Sequence, residues 1–380
     1  MIYFDNAATT HPKPDPVYDL TARAMREFCG NPGRSSHRMS MLADREVFAC
    51  RNAAAEFFGA QPERVIFTYN TTYALNIAIK CAYRSGSILI SDLEHNSVRR
   101  PCDALTDNLR VFDSALEISD EKQRTEAILA SIRSQLRHTA SNNVLLVCTA
   151  ASNICGASMP IAEIGRFCRD NGIYFIVDGA QAAGTRELNV ERDCIDALCL
   201  PGHKGLYGPM GSGMLILGDR LPAKTFIEGG SGVNSLDVAM PELPPERYEG
   251  GTLAVQNIAG LRAGIEFVSS LGVNAIFEHE KRLAALMQAR LKQRFSNRLK
   301  LYGDKQAGGI LLFNIAGYSS TDIAEFLDRH DICVRSGFHC APLAHRRLKT
   351  GASGAVRVSF GIFNTEDEVD CACEALSKLK

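Results

Sequence analysis

Along residues 16–255, short continuous apolar runs alternate with longer stretches whose apolar positions recur at helical spacing. Residues 65–68, 87–91, 110–112, 144–150, 173–177 and 197–201 read as strands buried on both faces, because aliphatic and aromatic side chains fill consecutive positions. Between them, residues 16–28, 41–58, 71–82, 99–107, 119–134 and 161–171 predict helices. In the 71–82 helix the inward face is Ala74, Ile77, Ala78 and Cys81. This βαβ-like alternation predicts an α/β fold with a mostly parallel sheet covered on both faces. In such sheets ligands collect beyond the C-terminal strand ends, so residues just after strands carry the most weight.

From about residue 256 the pattern changes. Helical spacing over 258–270 and 274–295 precedes a strand-like run at 309–315. A helix at 321–330, strands at 332–335 and 355–360, and a helix at 365–379 follow. This α+β layer is expected to form a smaller C-terminal domain, residues 256–380. Residues 16–255 are expected to form the large domain, with residues 1–15 packing near the small one.

Composition narrows the class. A net charge of −1 argues against nucleic acid or an anionic membrane as the main partner. No apolar run approaches the roughly 20 residues needed to cross a bilayer, and the start MIYFDNAATTHPKP lacks the pattern of a signal peptide. The 13 cysteines are odd in number, scattered and without a C-x-x-C pair, so they read as thiols in a reducing cytoplasm rather than as disulfides or a metal site.

Candidate chemistry centres on residues 198–217, LCLPGHKGLYGPMGSGMLIL, where two apolar runs bracket a glycine-rich loop carrying Lys204. Gly202 and Gly205 allow backbone or ligand to come close to that lysine. It is either a solvated loop lysine or a Schiff-base lysine, whose amine becomes nucleophilic when desolvated or placed near other cations. P-loop spacing is absent. At other strand ends, Asp178 can cap a turn or hold a ring nitrogen protonated, with Gln181 nearby. Thr71 and Thr72 can cap a helix or form an anion site with its first amides. His95 can be a surface residue or stack on an aromatic cofactor, and Asn153 likewise follows a strand. In RSGFHCAPLAHRR, Cys340 is flanked by His339 and lies near Arg335, Arg346 and Arg347; such cations would favour a thiolate. Arg357 suits a carboxylate, whether of a ligand or of an acidic side chain.

Together FDNAATT, NPGRSSHR, TTYALN, EHNSV, SNICG, VDGAQAAG, GHKGLYGP, EGGT, RSGFHC and VRVSFGIFNTEDEVD resemble, over nearly the whole chain, the class V aminotransferase-type enzymes of the cysteine desulfurase and selenocysteine lyase family. That resemblance implies pyridoxal 5'-phosphate (PLP) as cofactor, fold type I and a homodimer with active sites at the subunit interface. It also implies a small amino-acid substrate and a protein sulfur or selenium acceptor. Lys204 corresponds to the Schiff-base lysine, His95 to the histidine stacked on the ring, Asp178 to the partner of the pyridinium nitrogen and Gln181 to that of the phenolic oxygen. Thr72 and His203, with Thr71 adjacent, would hold phosphate, and Thr252 would reach the phosphate of the other subunit. Asn153 and Arg357 would bind the substrate carboxylate, and Cys340 matches the persulfide-forming cysteine. The short Cys340–Arg357 stretch resembles the branch that accepts selenocysteine well. Two departures touch the phosphate side: Pro201 stands where the family has Ser or Thr, and GTLAVQN where it has GTPN. Another class V activity (transamination, epimerisation or β-elimination) and a non-catalytic scaffold of the same fold are the alternative readings.

Overall fold

A computed structural model describes residues 1–33, 36–139, 143–222, 224–233, 236–303 and 308–379. Arg34 and Ser35 of the NPGRSSHR stretch lie outside the described residues. After β1 (Ile2–Tyr3), α1 (Asp15–Glu27) and α2 (Arg38–Phe58), the chain builds a sheet from β2 (Val65–Thr68), β3 (Ser87–Ser91), β4 (Leu109–Phe112), β5 (Val144–Thr149), β6 (Tyr174–Asp178), β7 (Ala197–Pro201) and β8 (Gly213–Leu217). Helices α3 (Thr71–Ala82), α4 (Asn96–Leu105), α5 (Glu121–Leu136) and α6 (Ile161–Asp170) interleave with them. The strand order is β2-β8-β7-β6-β5-β3-β4. From β7 to β4 all neighbours run parallel, whereas β8 is antiparallel to both β2 and β7. The reversal follows from length, since residues 202–212 are too few for the crossover of a dozen or more residues that a parallel pair needs. Every residue of β2, β3, β5, β7 and β8 is buried, which matches their continuous apolar sequences.

Beyond the sheet come α7 (Val255–Leu271), α8 (Val273–Phe295), β9 (Leu299–Tyr302), β10 (Ile310–Ile315), α9 (Ser320–Asp328), β11 (Ile332–Cys333), α10 (Pro342–Leu348), β12 (Val356–Ser359) and α11 (Glu366–Leu376). Ile258, Leu261 and Ile265 of α7 join the core of the large sheet. Leu283, Met287 and Leu291 of α8 instead pack with Phe313, Val358 and Val369 over the antiparallel sheet β12-β10-β9. Phe4 is fully buried in that second core, and Ile2 and Tyr3 pair in parallel with Ile332 and Cys333.

Three elements differ from the sequence expectation. Helix α4 begins at Asn96 rather than near residue 99, because the His95 ring caps it by accepting from the Ser97 amide. The four-residue edge strand β9, LKLY, has too little alternation to stand out. Residues 342–348, read as loop, form a helix opened by Pro342 at its first position. Among the described residues no helix is long and apolar enough to cross a membrane.

Candidate active site

Lys204 lies on the β7–β8 loop, which packs tightly against the turn after β6. A Cβ on Gly205 would stand 2.2 Å from the carbonyl oxygen of Ala183, so only glycine allows this approach. Residues from the N-terminal segment hold the loop: the Thr10 amide (3.1 Å) and Lys13 Nζ (2.8 Å) both donate to the His203 carbonyl. Burial lowers the Lys204 amine to about 8; Asp178 opposes this, while Arg357 and Arg335 add to it. A lysine shifted that far has an appreciable neutral, nucleophilic fraction near neutral pH.

The amine enters a cleft at the C-terminal ends of the parallel strands, lined also by His95, Asn153, Asp178 and His203. Asp178 ends β6 with 3% of its surface exposed, and Oδ1 accepts from the Ala180 amide at 3.0 Å. Burial raises its pKa, against the opposing effects of the Ala180 amide and Lys204; a cation placed against it would offset that desolvation. Gln181 Nε2 donates to the Ala7 carbonyl at 2.9 Å, which fixes the amide at the cleft edge. His95 Nδ1 accepts from the Ser97 amide at 3.0 Å, so the ring proton sits on Nε2. Burial, then Lys204 and Arg335, push this histidine down to about 4, so it is a neutral ring at the cleft wall.

One end of the cleft suits an anion. Asn70 caps α3 by accepting from the Tyr73 amide at 2.9 Å, which leaves Thr71 and Thr72 as the first helical residues. Their amides have no partner within the helix, and the helix dipole adds partial positive charge. Thr72 Oγ1 lies 2.8 Å from Ser97 Oγ, and His203 Nδ1 is buried without a hydrogen-bond partner. An oxyanion placed there would satisfy it. Pro201 ends β7 opposite Gly213 and has no hydroxyl to add.

Cys340 and the arginines take different positions from one another. Cys340 is exposed and does not line the cleft, yet its carbonyl accepts from the Asn96 amide at 2.7 Å, one residue after His95. The His339 carbonyl accepts from Asn153 Nδ2 at 2.9 Å. The expected cationic surroundings of the thiol need correcting. His339 is buried and, pushed to about 3 by burial and Arg357, carries no charge. Arg347 turns to Asp92 (3.0 Å), Asp113 (3.2 Å) and Glu117 instead. Arg346 is exposed and Arg335 remains: among the described residues neither guanidinium forms an ion pair, and the charge of Arg335 acts on His95, Lys204 and Arg357.

Arg357 is 1% exposed; Nη2 pairs with Asp5 Oδ1 at 2.6 Å and Nη1 donates to the Asn153 carbonyl at 3.0 Å. Its Nε is buried and unpartnered. A guanidinium this deeply buried needs a carboxylate, and Asp5 supplies one. Thr252 is exposed and lines a different cleft, with Tyr69, Ser212 and Asn257. Sequence reasoning missed Asn70, Ser97, Asp5 and Glu94, and it placed Arg335 beside Cys340 rather than near His95, Lys204 and Arg357. Glu94 is a buried carboxyl pushed up to about 8, accepting from Ser91 Oγ (2.5 Å) and the Thr149 amide (2.8 Å) directly beside His95. Adjacency to TT and to His95 was the available signal for Asn70, Ser97 and Glu94; Asp5 had none.

A buried lysine of lowered basicity, a buried carboxylate facing it and a helix N-terminus at one end make a site fitted to an anionic aromatic aldehyde. Residues 2–371 match the class-V aminotransferase family, and the chain belongs to that family. A probable cysteine desulfurase from Methanothermobacter thermautotrophicus is 32% identical over 391 residues, spanning 100% of this chain and 94% of that relative. A cysteine desulfurase from Dickeya dadantii is 31% identical over 392 residues, spanning 100% and 92%. The apo structure of the cysteine desulfurase from Thermococcus onnurineus NA1 aligns with a TM-score of 0.86 at 30% identity, covering 100% of this chain and 94% of that one. Escherichia coli CsdA aligns at 0.85 and 25% identity, covering 99% and 94%. The α/β architecture with its mostly parallel sheet is the fold type I arrangement of these neighbours.

Proposed function

We propose that this chain is a PLP-dependent cysteine desulfurase that takes sulfur from L-cysteine, releases alanine and holds the sulfur as a persulfide on Cys340, with L-selenocysteine as a further substrate. The observation that carries this reading is the Cys340–Asn96 hydrogen bond of 2.7 Å, which ties the thiol-bearing turn to the edge of the Lys204 cleft. Lys204 would hold the cofactor covalently, Asp178 and Gln181 its ring, His95 its face, and Thr71, Thr72 and His203 its phosphate. Bound there, the cofactor supplies the electron sink that acidifies the substrate Cα–H. The Lys204 amine, once free, moves that proton. Asn153 and Arg357, joined by Arg335, hold the substrate carboxylate. The Cys340 thiolate bonds to the substrate sulfur as the carbon–sulfur bond breaks; the electron pair stays on carbon, which takes up a proton to become the methyl of alanine. With L-cysteine and a thiol reductant, alanine and sulfide are expected in equal amounts. Pyruvate and ammonia instead would favour β-elimination and overturn the desulfurase reading.

A homodimer belongs to the same proposal. Thr252 lies away from the Lys204 cleft, and Leu236, Val238, Leu243 and Met210 are 65% exposed or more in the single chain. Solitary apolar side chains are ordinary, but a set this exposed suits a covered face. Light scattering is expected to give twice the chain mass of 41.4 kDa; an active monomer would remove Thr252 from the phosphate site. The free thiols support a cytoplasmic setting, in which a thiol-bearing protein would accept the sulfur.

A further inference from the structure

The turn that carries Cys340 is held in an unusual backbone state. His339 (φ +48°) and Cys340 (φ +57°) are consecutive non-glycine residues in the left-handed region, which L side chains disfavour. Something must over-determine this conformation. Asn153 and Asn96 hold the two carbonyls, as described, and a second set of bonds holds the His339 side chain.

His339 Nε2 lies 3.3 Å from the Arg335 carbonyl, which can only accept, so Nε2 carries the proton and Nδ1 is bare. His339 Nδ1 lies 3.1 Å from His345 Nε2, which must therefore donate. That leaves His345 Nδ1 bare, and it accepts from Thr350 Oγ1 at 2.8 Å. Only one arrangement of protons satisfies every link: Thr350 to His345, His345 to His339, His339 to the Arg335 backbone. The ring centroids are 5.3 Å apart with planes within 8°. That separation is close to the N···N distance plus one ring radius on each side, so the rings lie side by side, as an in-plane bond requires. All three side chains belong to buried residues, between 3% and 5% exposed. Burial and Arg357 push both histidines far down, to about 3 and about 4, so neither ring gains the second proton that would set two donors against each other. The far end of the chain is anchored through α10, whose Ala344 joins the core of the large sheet.

We propose that Thr350, His345 and His339 form a one-way hydrogen-bond chain that fixes where the Cys340 thiol stands, making His345 and Thr350 positioning residues for sulfur transfer. This rests on Cys340 being the sulfur acceptor. Neither His345 nor Thr350 lines the cleft, so their effect passes through the turn alone.

The test uses holoenzyme with nitrogen-15-labelled histidine and three variants: Thr350→Val, which removes the donor at similar volume, His345→Leu, and Thr350→Ser, which keeps the donor. At neutral pH both histidines should show protonated Nε2 and bare Nδ1. Thr350→Val is expected to lower kcat for cysteine about tenfold and His345→Leu further, with KM and the visible spectrum unchanged, because small displacements of a reacting atom are costly. Thr350→Ser should return to within about twofold of the parent. Alkylation of Cys340 by iodoacetamide, which reads the thiol and not its placement, should change less than about twofold. A protonated Nδ1 on His339, parental kcat in Thr350→Val, or alkylation that falls together with kcat would each overturn the proposal. If Cys340→Ala keeps full cysteine turnover, the sulfur-acceptor reading falls and takes this role with it. A normal Cys340 requirement with an unaffected Thr350→Val removes the relay alone.

Discussion

Cys340→Ala is expected to lower cysteine turnover about 100-fold or more while the absorption of the bound cofactor stays as in the parent, because it removes the proposed sulfur acceptor and leaves the Lys204 cleft intact. The separation of effects comes from geometry: Cys340 is exposed at the rim, whereas Lys204, Asp178 and His203 lie within the cleft. Mass spectrometry of the cysteine-treated parent should place one added sulfur on the peptide containing Cys340. Selenocysteine turnover should fall less, because the weaker carbon–selenium bond and better leaving group depend less on nucleophilic attack. An alanine variant as fast as the parent would leave Cys340 a loop thiol and give the lead to other class V chemistry.

Lys204→Ala should lower turnover of either substrate by at least about 1,000-fold and abolish the visible band, since it removes both the proposed covalent attachment and the group proposed to move the Cα proton. The pH behaviour has a definite sign. The amine reacts when unprotonated, and its pKa is lowered to about 8, so cofactor uptake by cofactor-free protein should accelerate as pH rises through about 8. An ordinary lysine would place that rise more than two units higher, near 10.4. A pH-independent uptake rate, or a variant that keeps its visible band, would exclude Lys204 from this role.

The buried strands of the large sheet were legible because they are apolar at consecutive positions, as in VIFT, SILIS and VLLVCT. The strand-end rule then pointed to His95, Asn153, Asp178 and Lys204, and all four line one cleft. Charge placement was not legible. Arg347 is seven residues from Cys340, yet its side chain turns to three carboxylates from other parts of the chain. Proximity in sequence says little about direction once a helix intervenes, and α10 was itself read as loop. Asp5 and Arg357 are 352 residues apart, and no local pattern announces such a pair. The proton order of the His339–His345–Thr350 chain needs atomic positions, because sequence cannot say which nitrogen faces which group.

The N-terminal segment reaches its partners across nearly the full length of the chain. Asn6 donates to the carbonyl of Ser359, 353 residues away, and Phe4 fills a core whose other buried residues all lie beyond 280. Ribosomes add residues in order at about 5–20 per second, so these early residues wait tens of seconds before Ser359 exists. Until then Phe4 has no core and Asp5 has no guanidinium. The Asp5–Arg357 pair therefore forms only after β12 has been made. A nascent chain halted before β12 would have Lys204 but lack Arg357, the residue assigned here to the amino acid's carboxylate.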